Sequence, residues 1–165
     1  MKTLTKIKIT LLLTWLIWLI ALSAYSQDKR FTLHTFTDPN ATIKDGFNIG
    51  LGIEYQMTIM YFKAQTFYFP GLNGKGYLDY EGTVLGFNLH SKFDDYRLFT
   101  GFKAGFIHRD NVTFPKVGLE AGFDYYFRDF YIGIQLSRDY RSDGKIWNVK
   151  NYWRNNGFLK IGIEL

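Results

Sequence analysis

The chain has 165 residues, with 16 Phe, 12 Tyr, 4 Trp, 16 Gly and no Cys. This length allows one compact domain with a removable leader, and the lack of cysteine excludes a disulfide framework or a cysteine-ligated metal site. The formal net charge of +5 falls to +2 when Lys2, Lys6 and Lys8 are set aside with the leader described next, so the charge predicts no nucleic-acid partner.

The first 26 residues have the layout of a secretory signal peptide. Three lysines precede an apolar run at 9–22, and small residues at 24 and 26 provide a cleavage site after Ser26. The run is shorter than the roughly 20 apolar residues that a membrane-spanning helix needs. We therefore expect a signal peptide at 1–26 and a single exported domain at 27–165.

In the rest of the chain, apolar residues alternate with polar or very small ones. In one such run, Val117, Leu119 and Ala121 alternate with Gly118 and Glu120. A period of two is typical of a strand with two different faces, and no long stretch has a helical period. The sequence therefore predicts an all-β domain with strands at 30–37, 46–56, 58–69, 76–90, 96–108, 114–127, 129–140 and 156–165.

The connections between these strands alternate in predicted length. Tight turns are expected at 56–57, 91–95 and 128–129, whereas longer polar loops are expected at 38–45, 70–75, 108–113 and 139–155. This alternation is typical of antiparallel up-and-down barrels in bacterial membranes, which have short turns at one end and longer loops at the other. We expect an eight-stranded transmembrane β-barrel.

One face of the strands is rich in glycine and charge, and the other is rich in large apolar residues. Eight strands enclose little more space than side chains can fill, so the large residues should face lipid and the glycine-rich face should line the lumen. Buried charges are costly unless they are paired, which predicts ion pairs across the lumen, with Lys103 roughly opposite Glu120. The predicted network fills the lumen, leaves no open pore and comprises Glu54, Lys63, Arg97, Lys103, Lys116, Glu120, Asp124, Lys160 and Glu164.

Aromatic residues bunch at both ends of the predicted strands. One group surrounds the 128–129 turn and another flanks the 70–75 loop. Such clusters are typical of the two aromatic girdles at the membrane interfaces. The groups are Tyr125, Tyr126, Phe127, Phe130 and Tyr131 at one end, and Phe67, Tyr68, Phe69 and Tyr77 at the other.

On these features the chain resembles the small eight-stranded outer-membrane β-barrel proteins of Gram-negative bacteria, the OmpA-like and OmpX-like class. The resemblance rests on the leader, on the strand run 116–136 with its two-residue turn, and on the alternating last strand at 158–165. It implies a monomer in the bacterial outer membrane with a structural or adhesive role. It also implies contact with outer-membrane lipids and lipopolysaccharide, and recognition of the last strand by the barrel-assembly machinery.

The sequence offers little catalytic or metal-binding chemistry. The three histidines, His34, His90 and His108, fall at different depths of the predicted barrel, so we expect no metal site and no cofactor. A lipid A deacylase or acyltransferase is the enzymatic alternative, and a deacylase needs an activated serine beside a histidine. Ser137 is predicted to face inward and His90 to lie at the opposite end from the outer leaflet, so we expect no enzyme. A secreted lipocalin-like carrier is the other alternative, with Phe123 and Ile132 turned inward together with Ile163.

The predicted last loop places basic groups beside aromatic rings. Such a surface suits lipopolysaccharide phosphates and sugars, or a protein partner, through charge-assisted hydrogen bonds and stacking. A solvated loop whose aromatics mark the interface is the alternative interpretation. The candidate contacts are Arg141, Lys145, Trp147, Lys150, Trp153 and Arg154.

Overall fold

Eight antiparallel strands form a closed barrel in which each strand pairs with the next and the last pairs with the first. The computed structural model describes residues 30–71, 76–91, 95–148 and 150–165, so the predicted signal peptide at 1–26 lies outside the described residues. The prediction of an all-β, eight-stranded up-and-down barrel is confirmed. The strands are β1 Arg30–Thr37, β2 Ile49–Gln56, β3 Met60–Phe69, β4 Tyr77–His90, β5 Tyr96–Arg109, β6 Val112–Phe127, β7 Phe130–Arg141 and β8 Tyr152–Glu164.

The outer surface of the barrel is apolar over a height that matches a membrane. On β7 the outward residues from Phe130 to Tyr140 are all exposed, and five of the six are apolar or aromatic; the sixth is Arg138, next to Tyr140 at the loop end. At about 3.3 Å per residue and a tilt of about 40°, this stretch rises about 25 Å along the barrel axis, the height of the apolar band of membrane barrels. The inward arrangement that a lipocalin would require is therefore absent at Ile132.

The two ends of the barrel differ in their connections. The turn end carries the β2–β3, β4–β5 and β6–β7 connections, of which the last is the two-residue turn Arg128 and Asp129. The loop end carries the other four connections. At this end α1, Pro39–Asp45, follows β1 and is capped by Asp38, whose side chain accepts a hydrogen bond from the Ala41 amide at 3.0 Å. The described part of the chain contains no helix that is long and apolar enough to cross a membrane.

Two loop-end connections are shorter than predicted. The predicted loop at 108–113 is wrong, because Arg109 pairs with Val112 around a two-residue turn. Asp110 and Asn111 both adopt left-handed conformations there, with φ of 51° and 60°, as a tight hairpin with primed geometry requires. The predicted loop at 139–155 shrinks to 142–151, because β7 runs to Arg141 and β8 begins at Tyr152; a 3₁₀ helix at Asp143–Trp147 lies between them.

A bulge in β4 changes which residues of that strand face inward. Thr83 pairs with Lys103 and Leu85 pairs with Phe102, which leaves Val84 as an extra residue exposed on the outer surface. Inward positions before the bulge are odd-numbered, whereas Gly86 and Asn88 beyond it are even-numbered. Because of the extra residue, the same face of β4 points into the barrel on both sides of the bulge.

Candidate functional site

The barrel interior is the site that the sequence predicted, and aromatic rings share it with the charges. Several inward glycines lie beneath these rings. A Cβ atom at Gly50 would collide with the rings of Phe36 and Phe67, and one at Gly122 would collide with Phe99. Glycine therefore lets large rings lie flat against the barrel wall, and the rings occupy the space above these glycines.

Arg97 organises the charge cluster nearest the turn end. Its guanidinium donates to Glu54 and lies 3.1 Å from the Asp124 carboxylate, while Lys160 lies 2.8 Å from the other Asp124 oxygen. The Phe99 ring lies next to this cluster, with its centroid 4.6 Å from both Arg97 and Lys160. Two carboxylates and two cations thus balance each other between strands β2, β5, β6 and β8.

Glu120 is the acceptor at the centre of the interior. It accepts hydrogen bonds from Lys63 at 2.7 Å, from Tyr61 and Thr83 at 2.6 Å each, and from Gln135 at 3.0 Å. The Lys63 and Glu120 side chains are at most 1% exposed. These contacts join β3, β4, β6 and β7, so one carboxylate connects opposite walls of the barrel.

A third cluster lies closer to the loop end. Lys103 lies 2.9 Å from Glu81 and 3.0 Å from Asp139. Lys116 contacts Glu81 as well and lies 2.5 Å from Asp79. Lys103 was expected roughly opposite Glu120. It pairs instead with Gly118 across the β5–β6 ladder, so the expected register was wrong by two residues.

An Asp143 cluster lies at the loop-end mouth. Arg141 donates to both Asp143 oxygens, at 3.1 and 3.0 Å, and to the Tyr77 hydroxyl at 3.1 Å. Arg154 donates to the same hydroxyl at 2.7 Å, and Arg109 lies 3.6 Å from Asp143. Arg141 and Arg154 were predicted as external-loop contacts, but the extended strands turn both of them into the barrel mouth.

An apolar cluster of mostly aromatic side chains fills the interior beside this mouth. Phe36 stacks on Phe67 with centroids 5.0 Å apart, and Phe158 packs edge-on against Phe36 at 5.4 Å. Ala41 of α1 is buried in the same cluster, so the helix lies over the loop-end opening. The loop-end cluster comprises Phe36, Ala41, Phe67, Phe69, Tyr77, Ile107, Phe114 and Phe158.

The predicted aromatic girdles are only partly correct. At the turn end Tyr126 and Tyr131 point inward and are at most 7% exposed, while Tyr125, Phe127 and Phe130 lie on the outer surface. At the loop end, Tyr68 is exposed, but Phe67, Phe69 and Tyr77 belong to the loop-end cluster. The aromatics that cluster at the strand ends thus fall into two groups: some lie on the outer surface, and the others pack inside the ends of the barrel.

The structure places most residues of the predicted lumen network in the three interior clusters. Glu164 is the exception, because it pairs with Arg30 at 3.5 Å on the partly exposed rim of the turn end. Asp79, Glu81 and Asp139 belong to the network but were not predicted. The alternation along β4 and β7 could have identified these three residues as inward-facing. Asp139, for example, lies two residues after Ser137, which was predicted to face inward.

The remaining candidate contacts are scattered at the loop end. Lys145 and Lys150 are exposed, and Trp153 lies on the outer surface of β8, 53% exposed. The Trp147 side chain lies outside the described residues. These positions therefore do not form a single patch with Arg141 and Arg154.

The histidines lie apart from one another. His34 is 2% exposed inside the barrel, and neither ring nitrogen has a hydrogen-bond partner among the described residues. His108 is exposed near the loop end and contacts the Thr113 hydroxyl at 3.2 Å, whereas His90 lies at the turn end of β4. Ser137 is buried and hydrogen-bonds to Asp139 at 3.3 Å and to Asn156. Within the described ranges, no three His, Asp or Glu side chains come together to hold a metal.

The buried ionisable groups are balanced in sign. Among the described residues, seven acids and seven bases of the Lys and Arg type are buried. Apart from Asp38, which caps α1, these charges pair with one another or with the nearly buried Glu81, and paired charges hold side chains in place. They are Asp38, Glu54, Asp79, Glu120, Asp124, Asp139 and Asp143, with Lys63, Arg97, Lys103, Arg109, Lys116, Arg141 and Lys160.

Comparison with known structures gives the same architecture. The chain is similar to the N-terminal β-barrel domain of Pseudomonas aeruginosa OprF, with a TM-score of 0.51, 14% identity, and coverage of 82% of this chain and 97% of that one. It is also similar to Neisserial surface protein A (NspA), with a TM-score of 0.49, 8% identity, and coverage of 83% and 94%. No family model and no curated protein matches the sequence. The chain has the fold of the small eight-stranded outer-membrane β-barrel proteins.

Proposed function

We propose that this protein is a monomeric β-barrel of the bacterial outer membrane with a closed lumen and a structural or surface-contact role. The observation that carries the proposal is the inside-out distribution of side chains. Apolar residues such as Leu136, which is 61% exposed, face outward over about 25 Å, while Arg97, Glu120 and Asp124 are at most 2% exposed inside. A soluble barrel would need the reverse arrangement, with the apolar face inside and the charged face in water.

The proposal of a closed lumen is supported by the way the interior clusters succeed one another along the axis. Arg97, Glu120, Lys103 and Arg141 each contact partners on other strands, so four polar layers cross the lumen between the two ends. The loop-end cluster adds a layer of rings. A wide, steady water path is incompatible with these contacts.

The surface-contact role is supported by the loop end. Ile43 of α1 is 86% exposed and Phe47 is 68% exposed, and Lys44 lies between them in sequence. Large exposed apolar side chains beside basic groups suit a partner surface at the membrane boundary. We propose that this end contacts outer-membrane lipids, lipopolysaccharide or a protein partner, that the barrel-assembly machinery recognises β8, and that the protein carries out no catalysis.

Cell fractionation combined with gel mobility tests the membrane placement. The protein expressed with its leader should fractionate with the outer membrane and should change mobility on boiling, because a folded barrel resists detergent until it is heated. A band that is soluble without detergent would contradict the proposal.

Planar-bilayer recording tests the closed lumen separately. The inserted barrel should give at most brief, small current steps. A stable, large conductance would show that the interior opens, even if fractionation places the protein in the outer membrane.

A further inference from the structure

One charged side chain lies on the lipid-facing surface of the barrel. Arg138 of β7 is exposed and points outward, flanked by Leu119 on β6 and Asn155 on β8. Among the strand residues that the structure describes, it is the sole Lys, Arg, Asp or Glu in the exposed outward register. A charge on the lipid face is costly at mid-membrane and much less so near an interface, so its position needs a physical explanation.

Arg138 lies just below the loop-end interface. Tyr140 and Trp153 are direct cross-strand partners with ring centroids 5.2 Å apart, and they form an outward aromatic pair of the kind that marks the headgroup level. Arg138 precedes Tyr140 by two residues, which places its Cα about 5 Å closer to the membrane centre at ordinary strand rise and tilt. Its guanidinium lies 5.2 Å from the centroid of the Trp153 ring. The side chain therefore reaches toward the headgroups while its backbone remains in the apolar band.

A recess lies on the membrane side of this arginine. Thr100, Ala121 and Gly157 occupy outward positions in the next row of the sheet, together with Leu136. Because Thr100 and Ala121 are small, a hollow of about 470 Å³ lies between Leu119, Leu136, Arg138 and Asn155. A planar cation with an amide beside it thus stands at the upper edge of an apolar groove.

We propose that this surface, formed by Arg138, Asn155, Trp153 and the recess beside Ala121, binds an anionic phosphate-bearing lipid of the surrounding leaflet. The guanidinium holds the phosphate through two parallel N–H donors, and Asn155 adds a further donor. Trp153 fixes the orientation of the guanidinium by stacking, and one acyl chain occupies the recess. The occupant is a membrane lipid and not a free anion, because the site opens onto the apolar band.

Native mass spectrometry of the detergent-purified barrel tests this inference with dimyristoyl phosphatidylglycerol and dimyristoyl phosphatidylcholine as probes. We expect the wild-type barrel to retain phosphatidylglycerol at least about fivefold better than phosphatidylcholine, because choline shields the phosphate of the latter. Arg138→Gln should remove that preference. Lys150→Gln, which removes an exposed charge from a loop at the same end, should leave it unchanged.

Two further variants separate the headgroup from the chain. Ala121→Phe fills the recess without changing charge, and it should lower retention of both lipids about threefold or more. Arg138→Lys keeps the charge but loses the planar fork, and it should give an intermediate preference. Both substitutions lie on the outer surface, so we expect the variants to fold. A normal mobility shift on boiling checks this.

The inference fails if Arg138→Gln retains the wild-type lipid preference, or if Lys150→Gln abolishes the preference equally. It also fails if millimolar inorganic phosphate displaces the bound lipid, since that result would indicate a free-anion site. The inference rests on the proposed membrane placement, and the two can fail separately. A barrel that does not insert into phosphatidylcholine vesicles contradicts the placement, whereas one that inserts but shows no lipid preference contradicts only the lipid site.

Discussion

The middle of the barrel interior and its loop end are both packed with buried side chains, but of different chemistry. The middle is filled by paired charges such as Lys63 and Glu120, whereas at the loop end rings such as Phe36 and Phe67 pack beside the Asp143 cluster. A buried charge requires a particular partner, while a buried ring requires only a fitting volume. We therefore expect substitutions of the paired charges in the middle to act through the partner that is left behind, and substitutions of the loop-end rings to act through lost volume.

The largest effect should come from removing the central acceptor. Glu120→Gln leaves the Lys63 ammonium buried without a counter-charge, and we expect the free energy of unfolding to fall by about 3 to 5 kcal/mol. Urea titration of the barrel in lipid vesicles, with folded protein scored by gel mobility, measures this loss. The double variant Lys63→Met with Glu120→Gln should regain at least half of it, because neither charge then remains. If the double variant is as unstable as the single one, the partner-based account of the middle is wrong.

A ring removed from the loop end should have a somewhat smaller effect. Phe67→Ala takes away a ring that contacts Phe36, Phe69 and Phe158, and we expect a loss of about 3 kcal/mol, the low end for large core truncations, because α1 can settle into the space. Phe67→Leu keeps most of the volume and should recover more than half of the stability in the same titration. Equal losses for Ala and Leu would show that ring geometry, rather than volume, closes the loop end.

Substitution of an inward glycine beneath a ring tests whether close contact between the ring and the barrel wall contributes to stability. Gly122→Ala would bring a Cβ against Phe99 and against the backbone carbonyl of Ile134, which cannot move as a side-chain tip can. We expect it to cost about 1 to 3 kcal/mol. The matched control is Gly82→Ala, because the nearest atom to its Cβ is the Lys63 carbonyl oxygen at 3.5 Å, and it should change stability by less than about 0.5 kcal/mol. Similar costs at both positions would remove close ring contact as the explanation for the inward glycines.

The smallest effect should be a gain in stability at His34. Its ring contacts Phe36, with centroids 5.7 Å apart, and its nitrogens have no hydrogen-bond partner in the described part of the chain. Replacing the unsatisfied imidazole by the apolar ring in His34→Phe should raise the free energy of unfolding by about 1 kcal/mol. His34→Ala is the control and should lower it, because the volume is lost. A loss in the Phe variant would show that the imidazole has a polar role in the interior.

Whether a residue number is odd or even along a strand could have identified more of the inward-facing residues than the charges alone did. Phe67 and Phe69 have the same parity as Lys63 on β3, and Phe99 has the same parity as Arg97 and Lys103 on β5. In a strand without a bulge, shared parity means a shared face. The prediction that large residues face lipid overlooked this signal, because composition favoured an outer surface for every aromatic.

Other features had weaker signals or none. The helix α1 was indicated by Asp38 followed by Pro39, a cap residue before a proline at the first helical position, within a segment predicted to be a loop. The bulge at Val84 and the closeness of Lys63 to Glu120 had no local signal. Lys63 lies on β3 and Glu120 on β6, and nothing in the sequence of either strand encodes the relative height of these two residues in the barrel.

The amino-acid sequence was enough to predict eight amphipathic strands, because the period of two is a local property of every segment. It also determined that charged groups such as Glu120 and Arg97 share the face that carries the glycines. Only the tertiary structure shows which charges meet, which rings pack together at the loop end, and that the outward Arg138 lies beside Trp153 and Asn155. These outcomes depend on strand stagger, on the bulge in β4 and on barrel closure, which bring together residues far apart in the chain.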